Sequence, residues 1–120
     1  FVNKIIINNL EIPLICHSLY NPPYLNILKN ATNTSDGYFE GSGFTTGNTF
    51  YNHYTFNETN STIDFKDKMF IFFAPERDLN FKTKYLATLR KVTHYKLKNN
   101  TLTMIDTLTS NRIVFYNSKN

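Results

Sequence analysis

The chain has no tryptophan, one cysteine, four glycines and four prolines. It is also sparing with charge: Asp, Glu, Lys and Arg make up 18% of its 120 residues, where about a quarter is usual. Each shortage excludes something. The lone Cys16 leaves no intramolecular disulfide framework to hold the fold. The longest apolar run, Met69 to Ala74, is far short of the ~20 residues a helix needs to cross a bilayer. No fixed period or heptad recurs, which removes a repeat array and a coiled coil. The net charge of +4 is mild and by itself speaks to solubility, not to a partner.

What is abundant is aromatic and amide: 11 Phe, 8 Tyr and 17 Asn. The aromatics argue against disorder, and 14.0 kDa suits one hydrophobic core. One domain is expected over residues 1–120. Triplets of the Asn-x-Ser/Thr type, at Asn30, Asn57 and Asn60, are read as by-products of so much Asn.

The patterning is mostly that of strands. Ile5 to Ile7 is β-branched and ends at the turn pair Asn8-Asn9; Leu10, Ile12 and Leu14 then alternate with Glu11 and Pro13, an edge-strand signal. Asn21-Pro22-Pro23 breaks the chain, Tyr24 to Leu28 reads as a short strand, and Asp36-Gly37 as a hairpin turn. Tyr38 to Phe44 has strand character interrupted by Gly41 and Gly43, which marks a bulge or a close approach of another backbone. After a turn at Thr46-Gly47-Asn48, Phe50 to Phe56 forms an aromatic strand, and Ile63 to Phe65 another. Asp67-Lys68 reads as a turn into Met69 to Ala74, apolar on both faces and therefore a central strand. Pro75 ends it. One helix is predicted, Leu79 to Val92: Asp78 caps it, Phe81, Tyr85, Leu89 and Val92 make one stripe, and Glu76, Asp78, Arg90 and Lys91 complement the dipole. Beyond the helix, turns at Asn99-Asn100 and Ser110-Asn111 divide the chain into a three-strand meander. Strands, one helix, then strands is an α+β order.

From Tyr38 onward the chain resembles the META domain family of HslJ-like bacterial proteins. Gly41-Ser42-Gly43 stands for the family's glycine-rich strand and Thr46-Gly47-Asn48 for its Gly-Cys-Asn, with Phe50 and Tyr54 at the family's distances beyond it. Phe73-Ala74-Pro75 stands for Met-Ala-Cys; the helix with Tyr85, Leu86 and Leu89 comes next, then Val92 to Leu97, Leu102 to Met104 and Ile113 to Phe115 as its strands. Two departures stand out. The family's Trp near the start is missing, and Gly47 and Pro75 occupy the places of its two cysteines, so the pair has been lost together. The resemblance implies an antiparallel sheet curled into a partial, cracked β-barrel with one helix packed across it. It also implies a bacterial envelope location, periplasmic or outer-membrane-associated, lipoprotein-like, in an exported form whose N-terminal segment has been removed. No catalytic activity comes with it.

No residue pattern forms a catalytic signature. His17, His53 and His94 are scattered, with none of the spacing of a metal site. Cys16 and His17 are neighbours, so a strand would send them to opposite faces; a free structural thiol is expected, with intermolecular pairing the alternative. The carboxylates fall in turns, caps and solvent faces. Gly41, Gly43 and Gly47 make no phosphate loop. Lys82, Lys84, Arg90, Lys91, Lys96 and Lys98 gather over the helix and the strand after it, a solvated face.

The aromatic excess leaves one candidate site, an apolar lining made by Phe44, Phe50, Tyr54, Phe72 and Tyr85, with Phe50, Phe72 and Tyr85 on three elements that should face one interior. The expected function is a non-catalytic binding or assembly module for a protein segment or an apolar or lipid ligand. It would act as a monomer without transmembrane segment, cofactor, metal or nucleic acid. Two alternatives are a small hydrolase-type enzyme using scattered His and Asp, and a nucleic-acid binder using the Lys/Arg face.

Overall fold

A computed structural model describes residues 1–12, 23–26, 38–70, 75, 76 and 78–116, with the backbone alone at residue 3 and at 67–70. Among these are the strands β1 (Val2–Ile7), β2 (Leu10–Glu11), β3 (Tyr24–Asn26), β4 (Phe39–Phe44), β5 (Thr49–Asn57) and β6 (Thr62–Phe70). The helix α1 (Leu79–Lys91) and the strands β7 (His94–Lys98), β8 (Thr101–Ile105) and β9 (Arg112–Tyr116) come after them. The tight turns use residues that tolerate a left-handed backbone: Asn8 and Asn9 have φ of 52° and 64°, and Asn99 has 57°.

The nine strands form one antiparallel sheet in the order β2-β1-β9-β8-β7-β6-β5-β4-β3. With the single helix this is the α+β arrangement expected. The ladder does not close on itself, because β2 and β3 remain as its two edges. Its two halves are weakly joined. β6 and β7 pair only at Thr62↔His94, supported by Ile63 N–H donating to Thr93 O and Tyr95 N–H to Ser61 O, both at 2.9 Å. Past that point the strands run apart, and α1 packs against β6 and β9. At the other extreme of the sheet, Val2 N–H donates to Pro23 O at 3.0 Å, one residue before β3.

The core lies between the inner sheet face and α1. Ile5, Ile113 and Met104 are Cα partners across β1, β9 and β8, and all three are 0% exposed. Tyr54, Ile63 and Phe65 come from β5 and β6, and Phe81, Tyr85, Leu86 and Leu89 from the helix. The helix begins where Asp78 accepts a hydrogen bond from Phe81 N–H at 3.0 Å. It ends at Val92, whose ψ of 140° is extended.

The structure corrects one sequence expectation. Asp67-Lys68 is not a turn: β6 runs through it to Phe70. The register shifts there, pairing Tyr51 with Met69 but Asn52 with Asp67, so Lys68 is an extra residue. A bulge takes up the polar pair without ending the strand. The expected strand Met69 to Ala74 is described only as far as Phe70. Cys16, His17, Asp36-Gly37 and the last two residues of the predicted first edge strand, Pro13 and Leu14, lie outside the described residues.

Candidate functional site

Alternation along β5 sends Phe50, Asn52 and Tyr54 to the interior, where all three are buried. Their partners on β4 are Gly43, Gly41 and Phe39. The two glycines are there because the β5 side chains need their space. A Cβ on Gly43 would lie 2.3 Å from Phe50 Cζ, and one on Gly41 would lie 2.6 Å from Asn52 Oδ1 and 3.0 Å from Tyr54. At Gly41 the close approach is by side chains; at Gly43 a Cβ would also lie 2.8 Å from the Tyr24 carbonyl oxygen, so the close backbone approach that the sequence suggested is present there.

The helix completes the interior. Tyr85 stands edge-on to Phe50 with ring centroids 5.8 Å apart and an interplanar angle of 81°. It also touches the Phe81 and Phe115 rings. Its hydroxyl crosses to β3 and donates to Tyr24 O at 2.9 Å. Burial, and then the neighbouring Tyr24, hold the Tyr85 pKa well above the usual phenol value. Tyr85 is therefore a fixed donor, not an acid–base group.

Of the proposed lining residues, Phe50 and Tyr85 are in direct contact, and Tyr54 joins the same buried cluster through Phe65 and Phe39. Phe44 is placed elsewhere. It pairs with Tyr24 in register and stacks on its ring at 5.7 Å, on the face of β4 opposite Gly43. Phe72 lies outside the described residues.

Sequence reading passed over Asn52. It is 2% exposed, and among the described residues neither its Nδ2 nor its Oδ1 has a hydrogen-bond partner. The available signal was an amide at an inward position between two aromatic inward positions, opposite a glycine. Buried polar groups are nearly always satisfied, so an orphan amide calls for a physical cause.

A second polar cluster is fully satisfied. Glu76 reaches the β4–β5 turn: its Oε1 accepts from Thr45 Oγ1 at 2.5 Å and from Thr46 N–H at 3.1 Å. Thr46 Oγ1 lies 3.1 Å from the same oxygen, and Asn48 Nδ2 donates to Oε2. Burial opposes ionisation of Glu76, but the bonds from Thr45, Asn48 and Thr46 outweigh it, and the pKa falls below the usual carboxylate value. Thr46 Oγ1 also accepts from Asp78 N–H at 3.1 Å. The turn is thus bound to the residue that caps α1. Gly47 lies against this segment: a Cβ there would be 2.7 Å from Pro75 O. Glu76, expected to serve the helix dipole, is spent on this clamp.

The remaining polar residues do not converge. His53 Nε2 is 4.0 Å from Glu40 Oε1, and His94 Nδ1 is 2.9 Å from Thr93 Oγ1. Asp106 holds the β8–β9 turn through Leu108 N–H and Thr109 Oγ1. Among the described residues, no three His, Cys, Asp or Glu side chains group as a metal site would need. No helix among them is long and apolar enough to cross a membrane.

Neither a protein-family model nor a curated protein matches the chain. A solved structure does: a DUF4847 family protein from Bacteroides vulgatus, with a TM-score of 0.56 and 15% sequence identity. The alignment covers 74% of this chain and 58% of that one, so the chain spans less than two thirds of its neighbour. At this identity the likeness is one of fold.

Proposed function

We propose that the chain is a non-catalytic binding module of the META type, whose interior takes a ligand with an apolar body and one hydrogen-bonding group. In this reading the sheet is curled as a cracked barrel. The crack is the short overlap of β6 and β7, α1 lies across it, and the Val2–Pro23 hydrogen bond draws β1 towards the β3 edge. The META relation is supported by Gly47 and Pro75, the two positions where the family carries cysteines, because they are in contact.

The binding reading is carried by Asn52. A carboxamide with a free donor and a free acceptor, set between Phe50 and Tyr54, offers polar recognition inside an apolar lining. Retaining such a group costs stability, which a bound partner would offset. The test substitutes Asn52→Leu and titrates both proteins with a fluorescent fatty acid. The variant should be more stable by about 1–2 kcal/mol, since an unsatisfied amide is replaced by an apolar group of similar size, and should bind the probe at least tenfold more weakly. A variant that is stabilised while binding is unchanged, or a parent chain that binds nothing, defeats the reading. The envelope location belongs to the same proposal and is tested by fractionation of the native source.

A further inference from the structure

The interior occupies one face of the sheet; the other face of β1, β7, β8 and β9 has a chemistry of its own. Ile5, Ile113 and Met104 are in register and buried in the core. Residues one step away on these strands therefore point outward. One outward row, crossing β7, β8, β9 and β1, is Lys96, Thr103, Val114 and Lys4. The row on one side is His94, Ile105, Arg112 and Ile6, and on the other Lys98, Thr101 and Tyr116.

This face carries Lys4, Lys96, Lys98 and Arg112 on β1, β7 and β9, and the row of Arg112 and Ile6 continues to one carboxylate, Glu11 on edge strand β2. The other half of the sheet is different: β4 to β6 carry Glu40, Asp64 and Asp67 beside Lys66 and Lys68. The strands of this half thus set four cations against one carboxylate on this face, although the chain as a whole is only mildly basic. The arrangement is two-dimensional. Lys4 on β1 and Lys96 on β7 are three strand spacings apart, about 14 Å, with Arg112 on the strand beside Lys4. Between the cations stand aliphatic Ile6 and Ile105, half-buried, and Tyr116 is 42% exposed at the rim.

We infer that this half-sheet face docks on an anionic phospholipid surface. A planar lattice of negative headgroups matches cations spread over three strands, β1, β9 and β7, whereas one extended acidic peptide would meet a single row of them. Single-stranded nucleic acid needs several rings on which successive bases stack, and the centre of this face is half-buried Thr103, Ile105 and Ile6 around a buried Val114. Each Lys or Arg near an anionic membrane adds attraction that salt screens, and a rim tyrosine suits the interface. The outward residues are not those around Asn52, so docking is independent of any interior ligand.

The test is vesicle flotation of the full chain at low salt, with phosphatidylcholine vesicles that contain or lack phosphatidylglycerol. Binding should require phosphatidylglycerol and fall as salt is raised. Lys96→Glu with Lys98→Glu should weaken it by roughly 25-fold or more. Lys84→Glu with Lys91→Glu makes the same change of charge on exposed helix positions and should leave most binding intact. Circular dichroism shows that each variant is folded. Equal loss in the two double variants would reduce the effect to net charge and overturn the inference. So would binding to phosphatidylcholine alone, no binding at all, or a tighter and equally Lys96/Lys98-dependent complex with a single-stranded oligonucleotide.

Discussion

Glu76 shows how one side chain can hold two distant segments. Its carboxylate gathers the hydroxyls of Thr45 and Thr46, a backbone N–H and the Asn48 amide from a turn some thirty positions earlier. Glu76→Gln exchanges a charged acceptor for a neutral one and turns one oxygen into a donor facing Asn48. A loss of about 1–2 kcal/mol at pH 7 is expected by chemical denaturation. The effect depends on pH with a definite sign. The folded pKa lies below the usual 4.5, so the contribution is complete above 4.5 and is lost as pH falls through the folded value. Parent and variant should therefore converge in melting temperature as pH falls below 4.5 and through the folded value. Gly43 is the second sensitive residue. Gly43→Ala would press a methyl against Phe50 Cζ at 2.3 Å and the Tyr24 carbonyl oxygen at 2.8 Å. Overpacking of this kind costs about 1–3 kcal/mol, readable as a lower denaturation midpoint. The sequence showed that Gly41 and Gly43 were special and that a backbone could come close, as Tyr24 does at Gly43; it did not show that the Phe50, Asn52 and Tyr54 side chains would also press there, because register is not written in a strand's own residues.

Among the elements, α1 was the most legible. Its cap, its stripe of Phe81, Tyr85 and Leu89, and its basic last turn are all local, and only its last residue differs from the sequence reading. The meander β7–β8–β9 was equally plain, because Asn99 and Ser110 mark its turns with left-handed backbone. What stayed hidden is what α1 does to the sheet. The Tyr85 hydroxyl fastens the helix to edge strand β3 through Tyr24 O, a contact between residues 61 positions apart. Tyr85→Phe should keep the fold, since the ring still packs on Phe50. It should cost about 1–2 kcal/mol, because the hydrogen bond is lost from a buried site. Amide exchange should report the loss first at β3, while β8 and β9 keep their protection. Exchange accelerated equally everywhere, or unchanged at β3, would remove Tyr85 as the fastening.

For the whole molecule, the raised Tyr85 pKa limits stability on the alkaline side. The folded state keeps its proton at a pH where the unfolded chain loses it, so stability falls as pH rises beyond about 10. An alkaline titration monitored at the tyrosinate absorbance should show a step that comes only with unfolding, and Tyr85→Phe should lower its amplitude by one tyrosine. The α+β class could be read from the order of strands and helix, and the shared interior of Phe50 and Tyr85 from spacing. The offset between β6 and β7, and the isolation of the Asn52 amide, depend on long-range register and could not. The position of β1 has a further consequence. The first strand of this sequence lies between β2 and β9, with Ile5 opposite Ile113. A ribosome adding about 5–20 residues per second therefore presents Ile5-Ile6-Ile7 several seconds before its long-term partner exists. During that interval only the short β2 covers one end of it, and the nascent chain is most exposed to chaperones and to its own neighbours on the polysome.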